Sequence, residues 1–382
     1  MKELILGELT ERKIGYGIVQ PGESTIGGVP VIKVNNIISG LKSILDLDTT
    51  HPENDQKYRK TRLNGGEIII SVVGTIGKTV IVPMDFKGCN LVRATALIDI
   101  KDPILSRWVK YYIDSPKGQS YINGNLNTTV QPTLNIKSLV EMPIPFYGRE
   151  YAEKVVTILS KIDDKIENNR RINDNLEQQA QALYKSWFVD FEPFKDQEFV
   201  DSEIGLIPEN WNCTTLSEFI SIKYGKDHKK LADGIIPVFG SGGLMRHVDT
   251  KLHEGESVLI PRKGSLNNVM YVNEAFWTVD TMFYSTPKVE NSCIYAYLFL
   301  ANKDLASMNA GSAVPSMTTD ILNNMPIIAP PTEVLKQFNN ICNVYFSRIH
   351  QNNIENANLA KQRDTLLPKL MSGGLKINKI DC

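Results

Sequence analysis

Two stretches of the chain carry apolar residues at a steady 3.5-residue spacing. Alternating steps of four and three from Val155 pass through Leu159, Ile162, Ile166, Asn169, Asn173, Leu176, Ala180, Leu183 and Trp187. The row shifted by 183 residues reads Phe338, Cys342, Tyr345, Ile349, Asn352, Asn356, Leu359, Arg363, Leu366 and Leu370. That period is the seam of a coiled coil, and it predicts long helices over 150–188 and 332–370. Both seams break at the same two places with Asn. An amide on a seam costs stability and serves best as a device that fixes register and partner. The expected arrangement is an antiparallel pair within one chain, with Asn169 and Asn173 meeting Asn352 and Asn356 near mid-seam. Plain duplication, or ordinary core packing of two bundle helices, is the alternative explanation.

The repeat extends beyond the helices. Leu6–Gly7–Glu8–Leu9 and Ile14–Gly15–Tyr16–Gly17 match Leu216–Ser217–Glu218–Phe219 and Ile222–Lys223–Tyr224–Gly225. GGEIIISVVGTIGK (65–78) echoes EGESVLIPRKGSLNN (254–268), and VEMPIP (140–145) echoes NNMPII (323–328). Short β-branched runs cut by Gly, Pro and Asn predict strands at 29–34, 68–73, 79–82 and 94–100, then at 257–260, 269–272 and 278–284. Helices are expected near 103–115 and 292–301. Each half thus reads as strands first and long helix last, an α+β class with two pseudo-symmetric globular domains. The boundaries that follow are a first domain at 1–149, a helix at 150–188 and an extended connector at 189–213. A second domain at 214–331, a helix at 332–370 and a tail at 371–382 complete the chain.

Net charge is −1, from 42 Lys and Arg against 43 Asp and Glu, which excludes a uniformly basic nucleic-acid coat. Residues 1–150 carry +3, 151–199 −3, 200–331 −4 and 332–382 +3. Any grip on a polyanion must therefore come from local patches or from partner subunits. The 5 cysteines are scattered without a CxxC pair, and the 5 histidines do not cluster. Free thiols and a cytoplasmic location are the natural expectation, with no signal peptide, no membrane span and no metal site.

GTIGKT (74–79) follows a strand-like run and resembles a phosphate-binding loop, but two residues separate its first Gly from Gly-Lys where four are needed. Nucleotide hydrolysis is not expected. A Gly-hinged loop with Thr75 and Lys78, and its counterpart with Arg262, Lys263, Ser265 and Asn267, instead suits contact with phosphates or base edges. So does QKYRKTR (56–62), where Lys57, Arg59, Lys60 and Arg62 surround Tyr58. Asn127 and Thr128 lie in a polar turn, and Lys226, Lys229, Lys230 and Arg246 add cations to the second half. Solvated surface turns would have the same composition. No Ser/His/Asp, Cys/His, Rossmann or methyltransferase tetrapeptide signature is present, so a binding subunit without catalytic residues is expected.

KSWFVDFEPF (185–194), SEIGLIPENW (202–211) and TLLPKLMSGGL (365–375) resemble the specificity subunits of type I restriction–modification systems. The resemblance covers the whole chain in the order recognition domain, helix, recognition domain, helix. It implies a DNA-binding protein without chemistry of its own, each target-recognition domain reading one half of a split double-stranded DNA target. It implies that the helices space the halves, that two methyltransferase subunits dock around them and that motor–nuclease subunits join the complex. S-adenosylmethionine, ATP and Mg2+ would be held by those partners, with the target adenine flipped out by the methyltransferase. A helix of about 33 residues spans roughly 50 Å. The corresponding subunit of a non-translocating restriction–modification system, and a coiled-coil scaffold for protein partners, are the other readings. Recognition domains vary within the family, so the resemblance assigns no DNA-contact residue.

Overall fold

The computed structural model describes residues 2–41, 43–127, 132–309 and 315–374. The chain divides into two compact units, Met1–Glu167 with Glu355–Cys382, and Asn168–Ile354. Each unit therefore takes part of both long helices, which run over Arg149–Phe188 and Thr332–Met371.

In the first unit the strands Arg12–Tyr16, Thr95–Asp99, Ile68–Ser71 and Thr79–Ile81 form an antiparallel sheet in that spatial order. Ile68–Ser71 is buried along its whole length, as a central strand covered on both faces must be. A smaller three-stranded sheet joins Thr49–Thr50, Val29–Ile32 and Asn90–Leu91. The helix Pro103–Asp114 starts where the Asp102 carboxylate accepts from the backbone N–H of Ile104 and Leu105, with Pro at its first turn. Its buried face carries Trp108, Tyr111 and Tyr112.

The second unit has a six-stranded sheet in the order Ile220–Tyr224, Met282–Pro287, His253–Pro261, Met270–Thr278, Asp233–Gly240, Gly243–Val248. Its one parallel pairing joins Val238 and Phe239 to Trp277 and Thr278. The helix Cys293–Ala301 is apolar all round and correspondingly buried from Cys293 to Leu300.

The two units are closed in the same way. Lys2–Ile5 pairs antiparallel with Pro143–Phe146 in the first, and Asn212–Thr215 with Pro326–Ala329 in the second. The Trp108 indole donates to the Pro145 carbonyl at 2.9 Å. The Tyr295 hydroxyl donates to the equivalent carbonyl of Ile328 at 2.7 Å.

Within each unit the helix segments run antiparallel. In the first, Tyr151 donates to the Leu370 carbonyl (2.8 Å), Asp163 accepts from Arg363 (3.0 Å) and Lys165 pairs with Glu355 (3.3 Å). In the second, the rings of Trp187 and Phe338 lie 5.9 Å apart, and the Asn352 amide donates to Asn173 at 2.7 Å.

Several expectations need correction. The segment 189–213 is not an extended connector. It holds a 3-10 turn at Glu192–Phe194 and a hairpin of Phe199–Ser202 with Gly205–Pro208. Phe191, Phe194 and Phe199 gather there, with the Trp211 ring 4.9 Å from Phe194 and 5.6 Å from Phe191, so an aromatic cluster folds the segment without any periodic pattern. The expected strand 278–284 is split, because Thr278 ends one strand and the next begins at Met282. The hairpin Asp233–Val248 was not foreseen. Among the described residues, no helix is long and apolar enough to cross a membrane.

Candidate nucleic-acid interface

One backbone crossing occurs in both units, built from the same hydrogen bonds. In the first unit Ile18 N–H donates to the Leu91 carbonyl, Gly17 to Thr95, Val72 to Ala94 and Leu134 to Val72. In the second, Lys226 donates to Thr278, Gly225 to Met282, Arg262 to Thr281 and Met317 to Arg262. The bridge of Val73 with Thr133 has its counterpart in Lys263 with Ser316. At Gly17 and Gly225 a side chain is excluded, since a Cβ would fall 2.2 Å from the Leu91 carbonyl oxygen and 2.1 Å from that of Val279. Both crossings lead into a Gly-hinged loop: 74–78 follows Val73, which bridges to Thr133, the strand partner of Asn127, and 264–268 starts where the Gly264 N–H donates to the Pro315 carbonyl. Gly74 and Gly264 occupy equivalent places with φ of 76° and 85°, which a side chain rarely adopts.

The side chains on this shared frame differ. In the first unit Ile18 and Val72 are buried, while Thr75, Lys78 and Asn127 are exposed. The Gln119 amide donates to the Gly77 carbonyl (3.0 Å), and the Lys78 N–H donates to the Ser71 hydroxyl (2.9 Å), so the loop is held from beneath. Thr128 lies outside the described residues. Arg93, exposed beside Ile18, was missed by the sequence reading; its place next to the strand that carries the repeat was the available signal.

QKYRKTR behaves as two groups. Lys57, Arg59 and Lys60 are exposed. Arg62 is not a free cation. Its guanidinium is hydrogen-bonded to the buried Asp55, which also accepts from Asn90 at 2.8 Å, and the Asp55 bond raises the Arg62 pKa. Tyr58 packs against Ile18, Val31 and Val92. Arg12 is likewise spent on Asp99 and the buried Glu67, at 2.5 Å each.

In the second unit Lys226, Lys229, Lys230, Lys263 and Ser265 are exposed. Arg262 lies over the Tyr224 ring, 5.5 Å to the centroid, and donates to the Asp280 carbonyl at 3.1 Å. Two candidates are engaged by neighbouring groups. Asn267 donates to Asp304 (3.0 Å) and accepts from the Ala306 N–H (2.8 Å), clamping a neighbouring turn and helping to hold the Asp304 carboxyl below its usual range. Arg246 donates to the Leu231 carbonyl (2.6 Å) and pairs with Asp233 (3.6 Å), which fixes the loop carrying Lys229 and Lys230.

On the helices, Asn173 accepts from Asn352 and donates to Asn353 at 2.9 Å, so Asn353, off the expected seam, supplies a third amide. Asn169 and Asn352 are buried, whereas Asn356 is half-buried.

The four described cysteines are free, and burial pushes the Cys89 thiol up to about 11 and Cys342 to about 12, which leaves them protonated and unreactive. Among the described residues no group of three or more His, Cys, Asp or Glu could hold a metal ion.

Residues 6–178 and 208–359 each match the family model of the type I restriction modification DNA specificity domain. The chain is 27% identical over 308 residues to the type I restriction enzyme MjaIX specificity subunit of Methanocaldococcus jannaschii, covering 73% of this chain and 71% of that protein. It is 23% identical over 327 residues to the HindI specificity subunit of Haemophilus influenzae, covering 63% and 71%. The crystal structure of a type I restriction–modification S subunit from M. genitalium aligns over 97% of this chain and 95% of that one, with a TM-score of 0.54 at 17% identity.

Proposed function

The chain belongs to the family of type I restriction–modification DNA specificity subunits, non-catalytic recognition proteins, and we propose that its two domains read the two halves of a bipartite DNA target. The observation that carries this reading is the duplicated crossing. Its backbone hydrogen bonds repeat, while the side chains it exposes do not. Phosphate contacts set position, and side-chain identity at base edges sets sequence. A frame that stays the same while its exposed groups change suits two readers of different half-sites.

The exposed cations Lys57, Arg59 and Lys60 in one unit and Lys226, Lys229, Lys230 and Lys263 in the other, which make no ion pair among the described residues, take the phosphate contacts. Two methyltransferase subunits dock on the chain, one for each repeat, and motor–nuclease subunits complete the enzyme. S-adenosylmethionine, ATP and Mg2+ belong to those partners. The length of the paired helices sets the unread spacer, with the amides of Asn173, Asn352 and Asn353 fixing their register.

Domain exchange tests the proposal. Replacing residues 1–149 by the first domain of another family member, with methyltransferase partners present, is expected to change one half of the methylated sequence and leave the other intact. Lengthening both helices should change only the spacer. An exchange that altered both halves, or neither, would refute the two-reader arrangement.

A further inference from the structure

Arg262 differs in kind from the lysines around it. Its guanidinium is oriented by the Tyr224 ring on one side and by the Asp280 carbonyl at one nitrogen. The Tyr224 ring is itself braced edge-on against Phe283, at 5.0 Å and 74°. Among the described residues the guanidinium makes no ion pair, so its remaining N–H groups are uncommitted. Arg62, Arg12 and Arg246, by contrast, are tied to carboxylates.

A phosphate contact needs charge but little orientation, which a flexible ammonium supplies. A planar fork held in one attitude has a different use. It matches the paired acceptors O6 and N7 on the major-groove edge of guanine. Position also matters: Arg262 donates its backbone N–H at the shared crossing, beside the exposed Lys263 and Ser265. The equivalent residue of the first unit is Val72, which is fully buried, so the first unit has no such fork at this place.

We infer that Arg262, held in place by Tyr224, is the guanine-reading residue of the second recognition domain. The inference rests on the proposed reading of DNA by both domains. Tyr224 is a positioning residue, acting through Arg262.

The test uses the full chain assembled with its methyltransferase partners and a map of methylated adenines. R262A and R262K should each relax one guanine position in the half-site assigned to residues 214–331, by about tenfold or more, with the other half-site unchanged. Y224L should relax the same position more weakly, and Y224F, which keeps the ring, should restore it. R262K preserves length and charge, so its result does not depend on whether R262A folds. Full retention of the guanine preference by R262K would overturn the inference, since an oriented fork would then not be what reads the base, and an equal loss of affinity for every sequence would overturn it by making Arg262 a phosphate contact. Domain exchange would still stand in that case. Absence of any bipartite methylated sequence with the unaltered chain would remove the reading beneath it, and the inference with it.

Discussion

At the shared crossing the first unit places Ile18 and Val72 in its core, whereas the second presents Lys226 and Arg262 at the equivalent places. Arg93 in the first unit corresponds to Asp280 in the second. These are large changes of chemistry at single positions, yet Lys226 and Arg262 make the same backbone hydrogen bonds as Ile18 and Val72. The comparison teaches where the fold stores its information. Position is held by main-chain N–H and C=O groups, which every non-proline residue carries. The side chain is then free to become a core residue or a reader. A surface built this way can change what it binds without rebuilding the sheet that supports it.

The largest expected effect comes from breaking the crossing itself. Gly17 and Gly225 are the points at which any side chain would meet a carbonyl oxygen. Gly17→Ala and Gly225→Ala should each destabilise the chain by about 1–3 kcal/mol, the usual cost of overpacking. Hydrogen exchange should locate the loss in the unit that carries the substitution, and methylation mapping should show only that unit's half-site weakened. If both variants melted like the parent chain, the crossing would not be the element that holds the recognition surface.

The helices sharpen the same comparison. In the first unit Arg363 and Asp163 pair across the two helices, and Asp163 also accepts from the Tyr111 hydroxyl at 2.8 Å. The repeat-equivalent residues of the second unit are Ala180 and Phe346, both of which belong to its apolar core. Burial opposes the charge on Arg363, but its bonds and attraction to Asp163 and Asp364 outweigh this and raise its pKa. A raised pKa means its stabilisation is fully present below the ordinary guanidinium value and is lost only as pH rises through the still higher folded one, so neutral pH does not touch it. The pair is partly exposed, at 30% and 23%. Arg363→Ala should therefore cost about 1–2 kcal/mol, between exposed and buried pairs. Adding Asp163→Phe should recover part of that loss by reproducing the apolar arrangement of the other unit. A double variant as unstable as the sum of the singles would show that the two helix segments are not interchangeable.

The sequence made the repeat legible because its anchors are local: Gly17 and Gly225, the Met-Pro pairs and the 3.5-residue seams. These reflect constraints of backbone and periodicity that a row of letters carries directly. What it hid depends on partners. Arg62, Arg246 and Asn267 looked like free polar groups, and only folding brings Asp55, the Leu231 carbonyl and Asp304 against them. Arg93 was passed over because no neighbouring cation marks it. The fold of residues 189–213 was hidden because aromatic residues without a period can pack in many ways, and only the contacts of Trp211 show which was chosen.

The smallest effect separates the free cations from those consumed by structure. Lys229 is exposed, while the loop that carries it is fixed by Arg246. Lys229→Ala should weaken DNA binding about equally for all sequences and lower the slope of log affinity against log salt by about one. The methylated sequence should stay the same. In the first unit Lys60→Ala should do likewise, since Lys60 is also exposed. Arg62→Ala should not, because its charge is already spent on Asp55; it should lower the melting temperature and leave the salt slope almost unchanged. Binding isotherms at several salt concentrations, with a melting curve for each variant, decide the matter. A salt slope that moved with Arg62 but not with Lys229 would reverse the assignment of structural and DNA-facing cations in the two units.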